Sequence, residues 1–223
     1  GRTLCGMGLK MGVCVGVAKD VVGQVVNLPL RPPDDELSAV AYLSDKPKPP
    51  TRQSTAHKGD FGTVAVVGGH RRMGWAVIMA SQTAMSMEAG RVTAICHATH
   101  HSAMLTRSPN VMVADIDEMS VESLAGFDRV AFGMGLGRDV WAEMVFDKVM
   151  DRVIHHAFDR VVLDADALYF LAKNPCKLSN HVICTPHSAE SARLLGVSVA
   201  DVDHDKLGTP YRLPERHGGQ GVI

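Results

Sequence analysis

The chain has 223 residues, 46% of them hydrophobic, enough to bury the core of one large α/β domain or of one domain plus part of another. Its 23 Lys and Arg balance 24 Asp and Glu, for a formal net charge of −1. That balance excludes the basic footprint of a nucleic-acid or acidic-membrane binder, and no apolar run reaches the roughly 18 residues of a membrane span.

Residues 1 to 26 are rich in Gly and Val and read as short strands and turns. Residues 31 to 57 hold the clusters RPPDDEL and DKPKPPTRQSTAHK, the composition of a linker, with one short helix expected near 37–43. From Gly59 the character changes. TVAVVGG (63–69) is a continuous apolar run closed by glycines, the signature of a strand buried on both faces. WAVIMASQTAMSME follows, dense in helix formers. Further strands are expected at 92–96, 111–115, 129–133, 160–166 and 181–185, and helices at 101–107, 120–125, 139–156, 166–173 and 188–196. Such alternation predicts an α/β fold with a mostly parallel sheet, whose ligands bind beyond the carboxyl ends of the strands.

Cys5, Cys14, Cys96, Cys176 and Cys184 are odd in number, widely spaced and without a CxxC pair. No disulfide framework is expected, and a reducing cytoplasm is the expected location. The chain opens on Gly1 and closes on GGQGVI, a strand-like opening, so both ends are expected to be cuts in a longer protein.

Four strand ends carry chemistry. VVGGHRRMGWA (66–76) is a glycine turn opening a helix, whose amino end can hold phosphate, although it is neither GxGxxG nor a Walker loop. FGMGLGRD (132–139) places three glycines at alternate positions, which lets backbone lie flat against a ligand. VVLDADALYFL (161–171) ends in Asp164 and Asp166, a pair able to hold Mg²⁺, with helix capping and a bond to a neighbouring loop as the plainer role for Asp166. TPHSAE (185–190) offers His187 or Ser188 as a cap, with Glu190 in the first helical turn. His97 and His101 have i, i+4 spacing but no accompanying ligand set, so no metal site is assigned to them.

Taken in order, HKGDFGTVAVVGG, EAGRV, GMGLG, LDADAL and TPHSAESARLLG resemble the ADP/ATP-dependent NAD(P)H-hydrate dehydratase family over about residues 57–223. That resemblance implies a ribokinase-like fold with helices on both faces of the sheet, incomplete at the C-terminus here. GLKMGVCVGVAKDVVGQV (8–25) looks like the tail of an NAD(P)H-hydrate epimerase domain. The implied organisation is an epimerase remnant at 1–30, a linker at 31–56 and the amino-terminal part of the dehydratase domain at 57–223.

The implied chemistry is repair of (6S)-hydrated NADH or NADPH (NADHX, NADPHX), with ADP or ATP and Mg²⁺ as co-substrate and metal. The residues implied to bind substrate are Ala76, Gly135, Gly137 and His187. The family's Lys-Gly-x-x-Thr loop is expected directly after GGQGVI, and its Gly-Ser-Gly-Asp segment with the base later still. Neither lies within these 223 residues, so no catalytic residue is assigned and the chain alone is expected to be inactive. The full-length parent is expected to be a homo-oligomer. The alternatives are a small-molecule kinase of the ribokinase group and a degenerate nucleotide-binding fragment.

Four positions depart from the family. Met134 replaces a Pro and is expected to loosen its turn. Trp75 stands where a small residue is usual and is expected to crowd the substrate. Ala189 stands where Gly is usual and is expected to shift the helix start, and Glu88 puts a charge where Gly is usual.

Overall fold

The structure, a computed structural model, describes residues 1–28, 41–44, 46, 51, 53–120, 122–155 and 157–222. Two compact units divide it, Gly1–Gln53 and Ser54–Ile223. Most of the helix expected near 37–43 lies outside the described residues, and its described part, 41–43, has no regular structure.

In the first unit, β1 (Arg2–Gly6) and β2 (Gln24–Leu28) pair in parallel, with the short α1 (Ala18–Val21) before β2. Thr3 Oγ1 donates to the Val22 carbonyl at 2.7 Å, tying the helix end to the first strand. Only Cys5 among the hydrophobic residues described here is buried, and Leu4, Met7, Val17 and Val21 face outward.

The second unit is built on β3 (Thr63–Val67), β4 (Arg91–Cys96), β5 (Met112–Asp115), β6 (Arg129–Phe132), β7 (Arg160–Leu163), β8 (Leu178–Cys184) and β9 (Gly218–Gly221). Among the described residues these form one parallel sheet in the order β5-β4-β3-β6-β7-β8-β9. The chain runs outward from β3 to β5, returns to the other side of β3, and then runs outward the opposite way. With right-handed crossovers, that reversal sends the helices of the two halves to opposite faces.

The packing follows. On β3, Val66 packs with α2 (Gly74–Ser86) and α3 (His101–Arg107), through Val77, Ile78 and Met104. Its neighbours Ala65 and Val67 pack on the other face with α4 (Val140–Ile154) and α5 (Asp166–Lys173). Alternate residues of one strand thus serve two cores, which is why the strand reads as an unbroken apolar run. Helix α4 buries Ala142, Val145, Phe146, Val149, Met150 and Val153, one stripe at helical spacing.

Three elements carry the far side of the sheet: α6 (Ser188–Leu195), α7 (Val199–His204) and α8 (Thr209–His217). The sequence reading assigned neither α7 nor α8. Ser198 and Asp201 form a capping box that starts α7. Pro210 and Pro214 disguise α8, yet Thr209, Leu213 and His217 recur every fourth residue and are buried, so burial overrides the propensity penalty. The helix expected at 120–125 is a short 3₁₀ helix, Glu122–Gly126, and β7 stops at Leu163, which leaves both aspartates outside the strand.

Glu88 sits at φ 67 just past α2. Glycine takes that conformation without the Cβ penalty, which accounts for a Gly being usual there. Glu88→Gly is expected to stabilise the unit by up to about 1 kcal/mol, read as a melting temperature raised by roughly 2–4 °C. An unchanged or lower melting temperature would show that the Glu88 side chain offsets its backbone strain.

Candidate functional site

The strand order reverses between β3 and β6, and open parallel sheets bind ligands beyond the carboxyl ends at such a point. Both glycine loops lie there. Gly69 N–H donates to the Met134 carbonyl at 3.0 Å, His70 N–H to the Gly135 carbonyl at 2.6 Å, and Gly133 N–H to the Val67 carbonyl at 3.1 Å. The two loops therefore form one backbone-paired surface. A Cβ on Gly68 would sit 2.2 Å from the Met134 carbonyl, so glycine is what lets the loops approach.

Ala76 and Gly135 are brought together. A Cβ on Gly135, at φ +63, would lie 3.3 Å from the Ala76 Cβ and 2.5 Å from the Met73 carbonyl. Gly137, at φ +85, faces the His70 ring, with a Cβ there 3.2 Å from the ring's Cγ. Met134 does not leave the turn open, because Leu136 N–H closes it on the Gly133 carbonyl at 3.2 Å. Trp75 is 67% exposed, so its indole does not fill the Ala76–Gly135 contact.

Asp166 holds this surface from below. One oxygen accepts the Gly137 N–H at 2.9 Å and the other the Arg138 Nε–H at 2.8 Å. Its carboxylate side chain is only 12% exposed. The expected bond to a neighbouring loop is present, whereas the expected helix cap is not: α5 has Ala165 at its cap position and no side-chain cap bond. Ala165 itself sits at φ 51, ψ −116, a strained conformation between the two aspartates. Asp164 accepts the Ala165 N–H at 2.8 Å through one oxygen.

His187 stands at the end of β8, two strands beyond β6, or about 10 Å at the usual interstrand spacing. No contact links it to Ala76 or Gly135. It caps α6: Nδ1 accepts the Ala189 N–H at 3.1 Å, and His187 N–H donates to Glu190 Oε2 at 3.0 Å. The ring's other nitrogen, Nε2, lies 3.4 Å from Glu190 Oε1, and the side chain is 68% exposed. Ser188, the other candidate cap, donates instead to Asp203 at 2.7 Å. Ala189 does not displace the helix start, since its N–H is part of the cap.

The sequence reading missed a cluster on the other side of the crevice. His70 Nε2 pairs with Asp139 Oδ2 at 3.1 Å, and Asp139 Oδ1 caps α4 by accepting the Ala142 N–H at 3.0 Å. The Ala142 N–H, and then His70, hold the Asp139 carboxyl below the usual range. The Trp141 ring meets His70 edge-on at 5.1 Å, and its Nε1–H donates to Asp117 at 2.6 Å. These residues, with Arg71, Arg72 and His97, line a cavity of about 480 Å³. The signal for it was Asp139 before an apolar helical run, a cap whose second oxygen is free to reach a neighbour.

No nucleophilic thiol serves the site. Burial pushes the Cys96 thiol up to about 11 and the Cys184 thiol up to about 12. His97 and His101 diverge, the first towards Arg71 and Thr99, the second to the Cys96 and Ala114 carbonyls. Among the described residues no group of three or more His, Cys, Asp or Glu is placed to hold a metal ion.

A family model described as NAD(P)H-hydrate dehydratase matches residues 64–218, which include both glycine loops, both aspartates and the His187 cap. The chain belongs to the NAD(P)H-hydrate dehydratase family. It is 36% identical to the bifunctional NAD(P)H-hydrate repair enzyme Nnr of Escherichia coli, in an alignment covering 100% of the chain and 43% of that protein. The ADP-dependent (S)-NAD(P)H-hydrate dehydratase of Staphylococcus aureus is 30% identical over 76% of the chain and 64% of its own length. The chain thus spans less than half the length of the bifunctional relative.

Among solved structures, a ribokinase-like superfamily protein of Enterococcus faecalis superposes with a TM-score of 0.69 at 25% identity, covering 78% of the chain and 61% of that protein. The ADP/ATP-dependent NAD(P)H-hydrate dehydratase of Bacillus subtilis, co-crystallised with ATP and Mg²⁺, superposes with a TM-score of 0.63 at 22% identity, over 78% and 61%. The dehydratase-family fold is therefore ribokinase-like, as the ordered motifs implied. No described helix is long and apolar enough to cross a membrane.

Proposed function

We propose that the chain carries the hydrate-binding part of an ADP- or ATP-dependent dehydratase that restores NADH or NADPH from the (6S)-hydrate. The observation that carries this reading is the direct meeting of Ala76 and Gly135 at the point where the strand order reverses. Two glycine-bearing loops held together there by backbone hydrogen bonds suit a ring bound by shape and backbone. Ala76, Gly135 and Gly137 contact the hydrated ring in this reading, and His187, whose Nε2 lies 3.4 Å from Glu190 Oε1, is the further contact from the end of β8. Asp166 holds the Gly137 N–H and so keeps the loop in register for the ligand.

The reaction is phosphoryl transfer to the 6-hydroxyl followed by loss of phosphate, which leaves the ring double bond. Such transfer depends on positioning and charge stabilisation. Mg²⁺ is commonly held through nucleotide phosphates and one or two carboxylates, so the absence of a three-ligand cluster is compatible with it, and Asp164, with one oxygen taken, is the carboxylate placed to contribute. When bound, the ion neutralises charge on the transferring group.

Residues 1–30, inside the Gly1–Gln53 unit, are read as a remnant of an epimerase domain and 31–56 as the linker, a reading supported by an alignment to the bifunctional relative that covers the whole chain while the dehydratase model begins at residue 64. A cytoplasmic location fits the five free cysteines, and by family resemblance the full-length protein is a homo-oligomer.

The test is calorimetric titration with (6S)-hydrated NADPH, alongside product analysis in the full-length protein with ATP. Binding and regenerated NADPH are expected; a stable phosphorylated product would point to a small-molecule kinase, and no binding of hydrate or ADP to a degenerate fragment. His187→Ala is expected to weaken hydrate binding about fivefold, the worth of one neutral hydrogen bond, and to lose about 1 kcal/mol of stability with the cap. His187→Asn keeps a capping side chain, so it restores stability and not affinity. Unchanged affinity in the Ala variant would remove His187 from the site.

A further inference from the structure

The cavity on the β3–β5 side of the crevice has an unusual division of labour among its charged groups. Each of its two carboxylates has at least one oxygen bonded to the walls. Asp139 accepts the Ala142 N–H and pairs with His70, while Asp117 accepts the Trp141 Nε1–H and lies 3.9 Å from His97 Nε2. Its two guanidinium groups are not so committed. Arg71 makes one long bond, Nε–H to His97 at 3.4 Å, and Arg72 has no hydrogen bond or ion pair among the described residues. The cavity therefore offers unspent donors and few free acceptors. That favours a phosphate dianion over a sugar diol, which needs a carboxylate acceptor.

The cavity adjoins the proposed site across one shared residue. The His70 ring lines it and also packs against Gly137, and the His70 N–H is bonded to the Gly135 carbonyl. A dinucleotide with its hydrated ring on Gly135 can run past His70 along the strand ends. The amino end of α2, which has no side-chain cap bond, is where its pyrophosphate would sit in this reading. The arginines are then left for a further, terminal phosphate.

We propose that this cavity is a phosphomonoester subsite, in which Arg72 with Arg71 selects hydrate bearing the 2′-phosphate over hydrate lacking it. The inference rests on the hydrate-binding reading above and specifies its substrate. Trp141 and the His70–Asp139 pair shape the wall, and the arginines supply the charge.

The test is calorimetry on the wild-type chain and on Arg72→Gln, using hydrated NADPH, hydrated NADH, adenosine 2′,5′-bisphosphate and AMP. The 2′-phosphorylated member of each pair is expected to bind about tenfold or more tightly, and Arg72→Gln to bring each pair within about twofold while leaving hydrated NADH unaffected. Arg72→Lys, which keeps the charge and loses the fork, is expected to retain part of the preference. Matching melting curves for the three proteins confirm that the fold is intact. Equal binding of the two hydrates by wild type would overturn the subsite and leave the hydrate-binding reading standing. Binding of neither hydrate would overturn both.

Discussion

Gly133→Ala is expected to destabilise the Ser54–Ile223 unit by about 3 kcal/mol or more, a fall in melting temperature of roughly 6–12 °C. Gly133 stands at φ +115, outside the regions open to a residue with a Cβ. An added Cβ would lie 2.0 Å from the Asp164 carbonyl oxygen, 2.6 Å from the Ala167 Cβ and 2.8 Å from the Ala167 N. Two of those atoms are backbone, so no rotamer change relieves them. The same carbonyl and amide belong to the turn that leads into α5, and Gly133's own carbonyl accepts the Asp166 N–H at 3.3 Å. The strain would therefore spread into the loop that carries both aspartates. Gly126→Ala is the control: nothing lies within 4 Å of a Cβ there, and a change within about 0.5 kcal/mol is expected. Equal thermal melts for the two variants would show that the turn between β7 and α5 tolerates a shift that its packing denies.

Asp166→Ala carries the second large expectation, on stability and binding together. The substitution strands the buried Gly137 N–H and unpairs the Arg138 guanidinium, at a cost of about 3 kcal/mol. It also frees the Gly135–Gly137 loop, so hydrate affinity is expected to fall about 30-fold, equivalent to roughly 2 kcal/mol. Asp166→Asn keeps one acceptor oxygen and is expected to recover part of both losses. Chemical denaturation and calorimetry with hydrated NADPH read the two effects separately. A destabilised variant with undiminished affinity would place the hydrate elsewhere than on this loop.

Asp166 also marks how far residues alone reach. Its position after an apolar strand and a bond to a neighbouring loop were legible from the pattern, alongside a helix cap that the structure does not form. Which loop it held was not, since Gly137 is 29 residues away and the bond depends on β6 and β7 being neighbours. The cap of α6 shows the same division: the pattern His-Ser-Ala-Glu announced a helix start, but only packing against α7 gave Ser188 to Asp203 and left the cap to His187. Helix α8 was hidden by its two prolines, and it forms because Thr209, Leu213 and His217 find a buried face.

The sequence by itself determined the α/β class, the buried strands and the glycine-rich strand ends, because these are local properties written in hydrophobic period and turn chemistry. The five ordered motifs also placed the chain in its family. The tertiary structure alone decided that β3 and β6 are neighbours, that Ala76 lies beside Gly135, and that His70, Asp139 and Trp141 wall a cavity that Arg71 and Arg72 also line. Those facts join residues dozens of positions apart, and strand order, which sets them, is fixed by crossover handedness and by the burial of both sheet faces rather than by any short stretch of chain.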